Sequence, residues 1–407
     1  MSTNPRLVKE ALALKAAGHE VHVVHGSYKH WGTVNDKPLA GRIGSTHAVP
    51  FGPTEARRVT YLRQTLTRRA ARVLASTTVR IETWLAEEAH APVTLDLRAA
   101  AAGHKADLYI AHYVAALPAA AYAARLYNAR YAFDAEDFHL GDLPDTPRHA
   151  LDKRIIHTIE ARYLPHAAFV TAASPMIAEA YAETYEIPLP TTVHNVFPLQ
   201  NAPPAPTSKG TAEPGPSIYW FSQTIGPGRG LETALEAIAR AESRPHFYLR
   251  GAAERSYAEK LRTAALQAGI ADRLHLLPLA PPDELERLGA AYDLGLVGEL
   301  EATRNRQISL TNKLFSYLLS GVPVVASGIT AHCRLAPDLG SAMTLFTVGD
   351  ASALAAAIDA MLLYPQCLAA ARAHAWHLAQ ERFNWEAEAP LLLAKVEAAL
   401  RDRGRTA

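Results

Sequence analysis

A strand–helix rhythm, broken once by a stretch that can hold neither, is what most constrains this chain. Short β-rich runs at 20–25, 107–112, 130–134 and 168–172 alternate with alanine-rich helical segments. A second series runs through 217–222, 246–250, 274–277, 294–297, 322–327 and 343–346. Between the two lies 203–216, with five prolines and two glycines in 14 residues. Such a stretch reads as a linker or surface loop. The alternation implies βαβ crossovers, parallel sheets and helices on both sheet faces. The expected fold class is therefore α/β, with two doubly wound, Rossmann-like domains facing across a cleft. Ligands of such domains bind beyond the carboxyl ends of the strands. The expected bounds are 1–200 for a first domain, 201–216 for the linker and 217–385 for a second domain, with a last helix at 386–407 crossing back to the first.

Composition removes several function classes. Lys+Arg is 41 against Asp+Glu 40, a balance unlike that of a dedicated nucleic-acid binder. Two cysteines, Cys333 and Cys367, cannot build a disulfide framework or a cysteine metal site, and they suit a reducing cytosol. Both read as packing residues. The N-terminus has no secretory pattern, and no run of 18 apolar residues spans a bilayer. Leu108–Ala124 contains His112 and Pro118 and reads as a strand followed by a buried helix. The first helix, over 4–17, has Thr3 or Asn4 as its cap and Pro5 at its first position. A doubly wound domain ordinarily opens with a strand before that helix. The first strand is expected to be missing here, leaving an unpaired position in the sheet.

Two stretches carry chemistry. In the first, the strand over 217–222 runs into Gly226-Pro-Gly-Arg-Gly-Leu-Glu232 and then a helix. Gly226, Gly228 and Gly230 let the backbone approach a ligand, and a helix N-terminus offers free N–H groups to an anion. Arg229 adds a planar cation suited to phosphate. In the second, Asn312-Lys-Leu-Phe-Ser-Tyr317 opens a helix closed by Gly321. Leu314, Phe315, Leu318 and Leu319 fit its buried face. Lys313 lies in the first helical turn, where the dipole disfavours a cation unless an anion is bound beside it.

Together these stretches resemble the donor domain of GT-B glycosyltransferases of the retaining group 1, or family 4, type. Ser320-Gly-Val-Pro-Val-Val-Ala-Ser327, Ala106-Asp-Leu-Tyr-Ile-Ala-His112, Phe133-Asp-Ala-Glu-Asp137, Val193-His-Asn195 and Arg382-Phe-Asn-Trp385 extend the likeness along nearly the whole chain. The resemblance implies that Arg229 and Lys313 bind the diphosphate of a nucleotide-sugar, with Asn312 beside them. It implies no metal and no other cofactor. Two glutamates usual in the family fall on Ile308 and Ser316, which leaves Ser316 to meet the ribose by a weaker neutral hydrogen bond. Glu299 or Glu301, just past the strand ending at Val297, are candidates to reach the sugar hydroxyls. On the acceptor side, Glu136 stands where the family often has a histidine and Asp137 keeps the acid; His112 and His139 complete the candidates.

Arg57–Arg72 carries six arginines and no acid, with Val59, Leu62 and Leu66 at helical spacing. This is a candidate peripheral membrane contact, and such a contact would favour a lipid-linked acceptor. The expected function is sugar transfer from a nucleotide-sugar to an unidentified acceptor. A non-enzymatic nucleotide-binding or partner subunit and a nucleotide-sugar epimerase are the other readings.

Overall fold

The computed structural model describes residues 4–27, 30–52 and 58–403. The chain divides into two compact units. Unit 1 runs to Val193 and adds Thr303–Asn305 and the residues from Ala389 on; unit 2 takes His194–Ala302 and Arg306–Glu388.

Unit 1 opens with α1 (Pro5–Ala16), β1 (His22–Ser27), α2 (His30–Ile43) and β2 (Ser45–Pro50). It continues through α3 (Arg58–Thr77), α4 (Thr83–His90), α5 (Thr94–Ala102), β3 (Leu108–His112) and α6 (Leu117–Leu126). β4 (Arg130–Ala135), α7 (Ala150–Tyr163), β5 (Val170–Ala172), α8 (Pro175–Tyr185) and β6 (Thr191–Thr192) close the series. The Asn4 side chain accepts from the Leu7 amide at 2.9 Å and caps α1, with Pro5 at the first helical position. Thr3, the other cap candidate, and Arg57 lie outside the described residues.

All strand pairs are parallel, yet the sheet comes in two parts: β1 with β2, and β3-β4-β5-β6. Both parts share one apolar cluster. Val49 of β2, Leu97 and Ala100 of α5, and Ala119 and Ala123 of α6 are buried together, with Val24 of β1 and Tyr109 of β3 packed on them. Among the described residues, the edge of β1 away from β2 and the edge of β3 away from β4 have no ladder partner.

Unit 2 holds β7 (Ser217–Ile225), α9 (Leu231–Arg240), β8 (His246–Ala253), α10 (Arg255–Gln267), β9 (Leu274–Leu277), α11 (Leu285–Gly289) and β10 (Leu294–Val297). After α12 (Arg304–Ile308), which begins within unit 1, come α13 (Asn312–Leu319), β11 (Val324–Ser327), α14 (Thr330–Leu339), β12 (Met343–Phe346), α15 (Ala351–Leu362) and α16 (Pro365–Glu381). α17 (Trp385–Arg403) starts in unit 2 and continues into unit 1 from Ala389. Six parallel strands stand in the order β12-β11-β10-β7-β8-β9. This is the doubly wound order, reversing between β7 and β10. Trp220, Leu249, Leu294 and Val325 fill the core beneath α9 and α15. The 203–216 stretch belongs to unit 2. Asp293 accepts from the amides of Gly210 and Ser217 at 2.7 and 2.9 Å, and Arg372 donates to the Thr207 carbonyl at 2.8 Å. These polar anchors hold a proline-rich segment that cannot join a ladder.

Cys333 and Cys367 are both exposed, so the packing role expected of them does not hold. Each sits on an outward position of a helix whose apolar face points elsewhere. Among the described residues, no single helix is long and apolar enough to cross a membrane.

Candidate functional site

In unit 2 the strand order reverses between the parallel neighbours β7 and β10, and the loops there are pressed together. Gly228 and Gly230 have φ of 74° and 69°, a region that disfavours side chains. A Cβ on Gly230 would lie 2.5 Å from the Gly298 carbonyl oxygen, so only glycine allows the two loops to touch. This contact sets Arg229, half-buried, beside the residues that follow β10. Gly226 is buried at the head of the same loop.

Glu299 follows β10 and is buried. Its carboxylate lies 3.6 Å from Lys313 Nζ and 3.7 Å from Arg306. Burial pushes this carboxyl up, but Lys313, Arg306 and Arg229 outweigh that and hold it below its ordinary range. Lys313 projects from the first turn of α13 over the Trp220 ring, 5.6 Å from its centre. Burial lowers its pKa, Glu299 raises it, and Arg229 and Arg306 lower it again, for a net downward shift. Arg306 also donates to the Gly228 carbonyl at 3.0 Å. Three cations thus converge on one carboxylate, leaving the pocket with excess positive charge. Among the described residues, Arg229 has no hydrogen bond or ion pair of its own. Asn312 is half-buried at the start of α13, where the first amides of a helix have no intrahelical partner.

Glu301 is exposed on the loop after Glu299 and joins none of these pairs. Ser316 is sealed in the core, where its hydroxyl donates to Glu286 at 2.8 Å; Asn201 donates to the same carboxylate at 3.3 Å.

In unit 1 a second group gathers at the carboxyl ends of β3 and β4. Arg6 of α1 donates to both Asp134 oxygens at 2.7 Å and to the Val193 carbonyl at 2.6 Å. Thr171 adds a bond to Asp134 at 2.6 Å. His112 lies 3.2 Å from Asp134 and 3.6 Å from Glu10. Burial raises the Asp134 pKa, but Arg6 and His112 drive it far down. Glu10 is pushed up to about 7 by burial and by Asp134. His112 is raised because Asp134 and Glu10 overcome its burial. Glu10, His112 and Asp134 present ligand atoms close enough to hold one metal ion. The chemistry of the set opposes a metal: Arg6 already neutralises Asp134 and occupies both its oxygens.

Glu136 and Asp137 follow directly on the same edge. Glu136 is raised by burial and by Asp134 and Asp137. Asn305 donates to Asp137 at 2.9 Å and to Asp142 at 2.6 Å, and Asp142 is pushed up to about 6 by burial and by Asp137. His139 turns the other way, into the core. Its Nδ1 is 3.1 Å from Glu160 and 2.8 Å from the Tyr181 hydroxyl. The structure therefore brings His112, Glu136 and Asp137 to one edge and leaves His139 outside it.

Comparison with known proteins identifies the family and the fold. Residues 3–195 match the glycosyl transferase 4-like domain, and residues 215–363 match glycosyl transferases group 1. The chain belongs to the group 1 glycosyltransferases. The fold is the GT-B fold. It is shared with Anabaena Alr3699/HepE in complex with UDP, at 17% identity over 97% of each chain with a TM-score of 0.68. The same protein in complex with UDP-glucose matches at 17% identity over 96% of each chain, with a TM-score of 0.68. Sucrose-phosphate synthase (tll1590) from Thermosynechococcus elongatus matches at 15% identity, over 93% of this chain and 99% of that one, with a TM-score of 0.64. No curated protein matches by sequence.

Two residues of this glycosyltransferase escaped the sequence reading. Arg306 lies in a polar run with no motif, and only the folded loop carries it to Glu299 and Gly228. His332, in the first turn of α14, is fully buried; one ring nitrogen pairs with the Ser327 carbonyl at 2.7 Å and the other has no partner among the described residues. Its charge coupling to Glu299 and Lys313 places it beside the cationic pocket. The signal available for it was position alone, just past the carboxyl end of β11.

Proposed function

We propose that this glycosyltransferase moves a sugar from a nucleoside-diphosphate sugar to an acceptor hydroxyl, with the donor held by unit 2. The observation that carries the reading is Arg229, half-buried without a protein counter-ion beside Lys313, Arg306 and a helix N-terminus. Such a surface fits a diphosphate. In the reaction the bond between the anomeric carbon and the phosphate oxygen breaks, and its electron pair leaves with the diphosphate. The acceptor oxygen forms the new bond to that carbon, and its proton passes to the departing phosphate. The cations stabilise charge that grows on the leaving group, which is where a preorganised donor accelerates the step. Attack from the leaving-group face gives retention. Glu299 positions Lys313 and is near enough to the pocket to bond a sugar hydroxyl. Charge neutralisation by Arg229, Arg306 and Lys313 supports transfer without a metal. His112, Glu136 and Asp137 are proposed to face the acceptor.

One observation favours a second reading, a nucleotide-binding subunit without turnover. Ser316, at the ribose position of the family, gives its hydroxyl to Glu286. The experiment offers UDP, GDP, ADP and dTDP and their glucose conjugates to the full chain in the presence of a chelator, following melting temperature and release of the free nucleotide. Stabilisation by one nucleotide class together with turnover of its sugar supports transfer. Binding without turnover selects the second reading, and no response to any nucleotide defeats both.

A further inference from the structure

The outward face of α3 is apolar where a solvated helix would be polar. Val59, Leu62, Leu66 and Val73 fall within an arc of about 60° on a helix of 3.6 residues per turn. They are 82%, 50%, 62% and 65% exposed. The opposite face is committed to unit 1: Gln64, Ala71 and Ala75 are buried. Gln64 donates to Asp96, Arg68 to the His90 carbonyl at 3.1 Å, and Arg72 to Asp152 at 2.6 Å. With that face anchored, α3 cannot roll its stripe inward.

Along α3 the charge beside the stripe has one sign. Arg58, Arg63 and Arg69 flank it and are exposed, and no acidic residue occurs from 56 to 81. Trp84, on the neighbouring α4, is 60% exposed. Tryptophan favours a boundary that is apolar on one side and wet on the other.

We propose that this face docks on an anionic lipid bilayer. The apolar stripe enters the boundary between headgroups and acyl chains, and the arginine stems lie along it with their guanidinium groups on lipid phosphates. A second copy of the chain suits the face less well, since pairing two α3 helices would bring like charges together without an acid to offset them. The inference stands independently of the donor chemistry.

Cosedimentation of the full chain tests it, with phosphatidylcholine vesicles and with vesicles containing phosphatidylglycerol. Binding is expected to the anionic vesicles at low salt and to fall at least about tenfold at high salt. The double variant Leu62→Gln/Leu66→Gln should lose binding, and Arg63→Gln/Arg69→Gln should weaken it by about tenfold or more. All four side chains are exposed, so the melting temperature should hold and serves as the folding control. The proposal is overturned if the wild type ignores anionic vesicles at low salt, binds neutral ones equally, or keeps its affinity in both variants. It is also overturned if light scattering shows a dimer that the leucine variant dissolves, which would make the face an interface between copies.

Discussion

Arg229 stands apart from the other cations of the unit 2 pocket because, among the described residues, no protein group forms a hydrogen bond or ion pair with it. Lys313 and Arg306 share Glu299, 3.6 and 3.7 Å away, and their charge is partly offset before any ligand arrives. An incoming diphosphate therefore gains most from Arg229, whose planar fork suits phosphate oxygens. Arg229→Ala should weaken binding of a nucleoside diphosphate by about 2–3 kcal/mol, a charged hydrogen-bond magnitude, and leave nucleoside binding nearly unchanged. Calorimetry of the wild type and variant with both ligands checks this. Equal losses for the two would place Arg229 away from the phosphates. Glu299 has the opposite character: it fixes Lys313 and Arg306 within the pocket while lowering its net charge.

At the scale of elements, the meeting of the β7 and β10 loops decides whether these side chains converge at all. Gly230 opens α9 with φ of 69° and sits against the Gly298 carbonyl. Gly230→Ala adds a Cβ to a position that has neither the backbone freedom nor the space for it. The loop must shift, at a cost of about 1–3 kcal/mol in stability. The larger effect should be on the site, with a rise in the nucleotide dissociation constant exceeding what the lost stability explains. Titration of the nucleotide at a temperature where the variant is fully folded separates the two.

The glycines and Arg229 were legible in the sequence because a strand, a glycine-rich turn and a helix form one local signal. The strands of unit 2 were legible for the same reason, being apolar runs between turn residues. β2 was not: in Ser45–Pro50 only Val49 is buried, so the run lacks the alternation that marks a strand. The fate of Ser316 was hidden too. Its partner Glu286 lies 30 residues away on another helix, and no spacing rule links them. His139 shows the same limit, since its position after β4 pointed toward the site while Glu160 and Tyr181 draw it inward.

Over the molecule as a whole, the buried cluster of Arg6, Glu10, His112 and Asp134 ties stability to pH. It joins α1 to the ends of β3 and β4, the elements flanking the unpaired edge of the unit 1 sheet. Glu10 has its pKa raised from 4.5 to about 7, so within that window the folded chain holds a proton that the unfolded chain releases. Stability from this group is present below the unfolded value and is lost as pH rises toward 7. His112 acts in the same sense, since its raised pKa contributes stability at low pH that is lost on deprotonation. Asp134 acts oppositely, but its depressed pKa confines the effect to acid below about 4. Unit 1 should therefore lose up to about 3 kcal/mol between pH 5 and 8 from Glu10 alone. Glu10→Gln stays neutral throughout and keeps the volume, so it should remove most of that slope. Amide exchange at Ala132 and Phe133, inside β4 and beside the cluster, reads the opening free energy of unit 1 without interference from unit 2. A slope that the variant leaves unchanged would mean that Glu10 is ionised in the folded chain and that Arg6 balances both carboxylates at once.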